Sequence, residues 1–101
     1  MIDLQKLQQE IFDNKIAKGF NTTDVNFEFA LTYGELAEAF DAYRKKLPDL
    51  GEELADVVIY IVGLSQILNI NLEEEILNKV EKNRKRKYTK INGTNVRTKE
   101  A

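Results

Sequence analysis

The chain contains neither cysteine nor histidine. Thiol nucleophiles, disulfides, thiolate or imidazole metal sites and Ser-His triads are therefore excluded. Acid–base or metal chemistry falls to carboxylates, helped by Lys, Arg, Tyr, Asn or hydroxyls. Two carboxylate pairs have a useful spacing: Glu35 with Glu38, and Glu53 with Asp56. On a helix, residues three apart share a face about one turn apart. Two helices joined by a short loop can bring such pairs together, where four carboxylates repel one another and resist desolvation. A divalent cation resolves that repulsion, and an all-oxygen donor set suits Mg²⁺, with Mn²⁺ as the alternative. Taken singly, Glu35, Glu38 and Glu53 also read as solvated positions, and Glu53 as a first-turn acid on a helix dipole. Asp56 carries more weight. It is past the first turn, Asp is a poor interior helix former, and it runs directly into the apolar stretch Val57 to Leu64.

A second constellation is cationic. Lys79, Asn83 and Arg86 follow steps of four and three and so share a helix face, within a crowd formed by Lys82, Arg84, Lys85 and Lys87. Cations there complement a helix C-terminus or form a solvated face. They would equally grip phosphates, either of a nucleic acid or of a nucleotide polyphosphate whose other oxygens sit on a metal. Residues 1–77 are net −9 and residues 78–101 net +7. A body that acidic repels a polyanion, so nucleic acid is the weaker reading, and a polyphosphate beside a carboxylate–metal site the stronger.

At 101 residues, with 43% apolar and 32% charged, the chain has the balance of a single globular domain. Helical periodicity predicts a first helix over about Ile2 to Ala17, stopped by Gly19. Asp24 and its neighbours cap a second over about Val25 to Lys46, where Tyr33, Leu36, Ala37 and Phe40 form one apolar stripe. Asp49 with Glu52 reads as a capping box for a third helix, about Leu50 to Leu68. That helix is apolar nearly all round, so it must be buried all round. Three neighbours with narrow apolar stripes cannot enclose it, which predicts contact with another subunit. Asn71 and Glu74 cap a fourth helix over about Leu72 to Lys87, with Leu72, Ile76, Leu77 and Val80 expected inward. The Asn92-Gly93 pair signals a hairpin turn between short strands near Tyr88–Ile91 and Thr94–Arg97. No leader pattern precedes the first helix, and the eight-residue apolar run is too short for a bilayer. The expectation is cytoplasmic, with no membrane partner.

Three segments taken in order carry a family likeness: Gly34-Glu35-Leu36-Ala37-Glu38-Ala39, then Glu53-Leu54-Ala55-Asp56-Val57, then Lys79-x-x-x-Asn83-x-x-Arg86-x-Tyr88. Together with the Gly19-Phe20 step, over residues 2–88, they resemble the MazG-like all-α nucleoside triphosphate pyrophosphohydrolases, relatives of the dUTP and phosphoribosyl-ATP pyrophosphohydrolases. The resemblance implies a helical bundle assembled as a homodimer or homotetramer. It also implies Mg²⁺-dependent cleavage of (d)NTPs to (d)NMP and pyrophosphate by an activated water, clearing unwanted nucleotides. Carried over by position, Glu35, Glu53 and Asp56 resemble the family's metal ligands, with Glu38 completing the carboxylate set. Lys79, Asn83, Arg86 and Tyr88 resemble its phosphate or nucleotide contacts. Many members carry the first acid of the leading pair at the position of Thr32. Three outcomes are open: Glu38 takes that role, three ligands and water suffice, or the site is weakened. Glu28, one turn before Thr32, is a poorer substitute.

The sequence thus predicts an all-α fold: a small four-helix bundle assembled into an oligomer, with a helical domain over 1–88 and a basic hairpin-like tail over 89–101. Phe12, Phe20, Phe27 and Tyr33 are candidates to stack on a base, each also a natural core residue. The alternative function is a catalytically degenerate helical module that binds nucleotides or a partner protein.

Overall fold

The computed structural model describes residues 1–99, so the last two residues of the expected tail lie outside the described residues. Four helices are followed by a hairpin: α1 (Leu4–Ala17), α2 (Val25–Arg44), α3 (Leu50–Ile67), α4 (Leu72–Lys85), β1 (Lys87–Ile91) and β2 (Thr94–Lys99). Among the described residues no single helix is long and apolar enough to cross a membrane.

Local chemistry explains the helix ends. Asp3, Asp24 and Asn71 each accept a bond from the backbone N–H three residues on, at 3.0, 3.0 and 3.1 Å. Asp49 does not: it precedes α3 without a side-chain cap bond, and its Oδ1 is buried with no partner. The expected capping box is therefore absent. The C-terminal ends of the first three helices share one device. Gly19, Lys46 and Asn69 adopt positive φ, and the paired bonds Phe20 N to Lys15 O, Leu47 N to Ala42 O and Ile70 N to Ser65 O close α1, α2 and α3 as Schellman turns.

α2 packs along α3, α1 lies on α3, and α4 rests on the start of α1. Gly63 lets α1 approach closely, since a Cβ there would meet Ile11 and Lys15 at 3.4 Å. Gln8, buried on α1, ties the far end together: Nε2 donates to Gln66 Oε1 (3.0 Å) and to the Ile70 carbonyl (2.7 Å).

The α2 stripe is where structure and expectation part. Tyr33, Leu36 and Phe40 keep 74, 54 and 58% of their surface exposed. The face turned inward is Glu28, Thr32, Glu35, Ala39 and Ala42, again in steps of four and three. Small residues let the helices approach, and the acids between them find partners or stay unmet. α3 is likewise buried only at Val62–Ser65, while Leu54, Val58 and Ile61 are exposed. The expected inward set on α4 holds only at Leu72, which is half-buried; α4 fully buries no residue, and Ile76, Leu77 and Val80 are open.

Candidate functional site

The α2–α3 pairing sets the carboxylates. Oxygens of Glu35, Glu38 and Glu53 all lie within 4.8 Å of one another. Glu35 Oε2 and Glu53 Oε2 are each buried without a hydrogen-bond partner. Burial raises the Glu35 carboxyl above its ordinary range, aided by the fields of Glu38, Asp56 and Glu53. Burial also raises Glu53, with the fields of Asp49, Glu38, Asp56 and Glu52 adding to it. Asp56 is exposed, contrary to the burial its sequence neighbours suggest. It stands beside the three-carboxylate group and still acts on Glu35 and Glu53 through its charge.

Two orphaned carboxylate oxygens aimed into a cluster of like charge are what a hard divalent cation satisfies. The donors are all oxygen, which fits Mg²⁺ or Mn²⁺. Thr32 adds no charge to this set. Its hydroxyl donates to the Glu28 carbonyl at 2.8 Å, a local bond within its own helix. Glu28 is no substitute ligand either: it is 1% exposed and ion-paired with Lys15, and it accepts from Asn21 Nδ2 at 3.2 Å.

Lys15, Asn21, Glu28 and Tyr60 form a polar knot that periodicity could not reveal, because it joins α1, the following loop, α2 and α3. The only sequence signal is an acid on the small-residue face of α2. Lys15 also lies 5.4 Å from the Tyr60 ring centroid. Burial raises the Tyr60 hydroxyl, and Glu35, Glu28, Asp56 and Glu38 add to the shift. Tyr60 thus belongs to the knot through Lys15 and feels the charge of the carboxylate cluster. It also lines a cavity of about 360 Å³ with Phe20, Ile11, Asn14, Lys15 and Ile59. Of the candidate stacking residues, Phe20 faces this space and Phe27 an adjoining smaller one, whereas Tyr33 is on the opposite, outward stripe.

The cationic set is only partly assembled. Arg86 Nη1 donates to Asn83 Oδ1 at 2.9 Å, and Arg86 Nε is buried without a hydrogen-bond partner. Tyr88 is exposed on β1. Lys79 shares the helix of Asn83, and α4 makes no packed interface with α2.

Residues 29–90 match a family model described as the MazG nucleotide pyrophosphohydrolase domain. Comparison with curated proteins and with solved structures returns no match.

Proposed function

The chain belongs to the MazG nucleotide pyrophosphohydrolase family, and from that premise we propose that it hydrolyses nucleoside triphosphates to monophosphate and pyrophosphate with Mg²⁺, or Mn²⁺ in its stead. The observation that carries this reading is the convergence of Glu35, Glu38 and Glu53, with two buried oxygens left unmet. Those three and the adjacent Asp56 would hold the cation. Bound there, it supplies a Lewis acid for phosphate oxygens. With no imidazole or thiol in the chain, a carboxylate of this group accepts the proton of the attacking water. Phe20 and Tyr60, on the cavity between α1 and α3, offer the nucleoside an apolar wall. Lys79, Asn83, Arg86 and Tyr88 are the phosphate-binding set.

We further propose that the chain works as a homo-oligomer. Phe29, Tyr33, Leu36, Phe40 and Tyr43 recur at alternating steps of four and three on the outer face of α2, all exposed. That spacing is the seam of a helix packed against another helix, and Leu54, Val58 and Ile61 continue the surface on α3.

The test is pyrophosphate release from a panel of standard and modified (d)NTPs, with Mg²⁺ and with chelator. Metal-dependent release that falls on the order of 10²-fold or more in Asp56→Asn, with the fold intact, supports the assignment. Silence across the panel from folded protein would overturn it in favour of a non-catalytic nucleotide-binding module. Thr32 is the residue that favours that second reading, since its neutral hydroxyl stands where many members carry an acid.

A further inference from the structure

The cavity of about 360 Å³ between α1 and α3 has two kinds of wall. Phe20 and Tyr60 supply rings, and both are held in place. The Phe20 N–H donates to the Lys15 carbonyl at 2.9 Å, just past the positive-φ turn at Gly19. The Tyr60 ring centroid lies 5.4 Å from the Lys15 ammonium. Lys15 is the one cation lining this cavity, and it is already ion-paired with Glu28. A cavity whose cation is spent in this way is not built to take a phosphate.

The other wall is an edge of α1. Glu10 and Asn14 both line the cavity, four residues apart and so one turn apart on one helix face, with about 5–6 Å between their Cβ atoms. Among the described residues, neither side chain has a protein partner. A carboxylate only accepts hydrogen bonds, and an amide both donates and accepts. Rings for the face of a flat heterocycle and polar groups for its edge are how a nucleobase is held. The volume is at the small end for ligand cavities, and a carboxylate at the edge repels phosphates. Glu53, Asp56 and Tyr60 follow steps of three and four on α3, so Tyr60 shares a helix face with the acids, about 6 Å of rise beyond Asp56. A base in the cavity would leave its phosphates on the side of the acids.

We propose that this cavity is a base subsite selective for guanine, with Glu10 and Asn14 as the specificity-determining residues. Guanine presents two adjacent donors, N1–H and the N2 amine, which together satisfy both oxygens of Glu10 in a bidentate pair. Its O6, at the other end of the same edge, accepts from Asn14 Nδ2. The other bases fit worse. Adenine and cytosine set a ring-nitrogen lone pair beside their amine, and uracil and thymine flank one N–H with two carbonyls. Each would turn a lone pair on the carboxylate and leave a polar group unmet. That the base belongs to a hydrolysed nucleotide rests on the pyrophosphohydrolase reading; the choice of base rests on Glu10 and Asn14.

The first experiment measures equilibrium binding of GMP, IMP, AMP, CMP and UMP to the full-length protein in chelator, so that no hydrolysis enters the result. GMP is expected to bind tightest, and IMP, which lacks the N2 amine, about tenfold more weakly or worse. Equal or absent binding of the five, or a preference for another base, overturns the proposal. Two variants then read the edge by exchange rather than by loss. Glu10→Gln turns one acceptor into a donor, so it should lose GMP about tenfold or more and gain XMP, in which O2 replaces the amine. Asn14→Asp sets an acceptor against O6 and should shift preference from GMP to the monophosphate of 2,6-diaminopurine riboside. A GMP preference that survives both substitutions overturns the assignment of these residues. Pyrophosphate release at equal rates from all triphosphates would overturn base selection and leave the pyrophosphohydrolase reading intact. GMP-selective binding by a protein that hydrolyses no triphosphate would sink that reading and leave the base subsite standing.

Discussion

Glu35 and Glu53 each hold one oxygen out of water with no donor to meet it, and both carboxyls are raised by burial and by neighbouring acids. A raised carboxyl binds protons more tightly in the folded chain than in the unfolded one. Its contribution to stability is therefore full below the ordinary carboxylate range and is lost as pH rises through the folded value. In chelator, Glu53→Gln is accordingly expected to melt above wild type at pH 7, the gap closing as pH falls through the raised folded value toward the ordinary one of about 4.5. Thermal melts from pH 4 to 8 check this. A wild-type protein that melts higher than the variant at pH 7 without metal would contradict it. Mg²⁺ should act on wild type alone, adding about 2.7 kcal/mol at a hundredfold excess over its dissociation constant. The acid pairs were legible in the sequence because three-residue spacing is a local property. The exposure of Asp56 was not, since its apolar neighbours suggested walls that a single chain does not supply. The bond from Thr32 to the Glu28 carbonyl depends on a rotamer that no spacing rule specifies.

At the scale of elements, all four helices and the hairpin could be read from periodicity, stops and the Asn92-Gly93 turn, although the cap expected at Asp49 does not form. The faces could not. Hydrophobic periodicity identifies an apolar stripe but not what it meets, and on α2 the inward side proved to be the small and acidic one. The Lys15–Glu28 pair shows how such a face is tolerated. A buried carboxylate is held by an ammonium from α1 and an amide from the loop, so three elements are fixed by one charge. Removing one partner strands the other: Glu28→Ala is expected to cost about 3–5 kcal/mol in urea melts. The double variant Lys15→Met with Glu28→Leu should be more stable than Glu28→Ala alone, because two apolar groups replace the pair and no charge is left buried. Additive losses would instead mean that each residue contributes by separate packing.

For the whole molecule, the buried apolar side chains are few and small: Ala39, Ala42, Val62 and Leu64 among the described residues. Aromatic surface meanwhile runs the length of α2. If that seam is covered by a second copy, folding and assembly are one equilibrium, and stability rises by about 1.4 kcal/mol for each tenfold increase in concentration for a dimer. Melts across a thousandfold dilution check this, with sedimentation of Phe40→Asp, which should be monomeric and less stable. A concentration-independent melt with unchanged mass would remove the seam as an interface. The all-oxygen donor set has a different kind of consequence. Peroxide finds no thiol here to oxidise, and the only sulfur in the chain is Met1 at its start. Copper and zinc find no imidazole or thiolate to capture, so they hold little of their usual advantage over harder ions. A site of this composition keeps its ligands through oxidative stress and through swings in soft-metal supply, conditions that disable cysteine- and histidine-based centres.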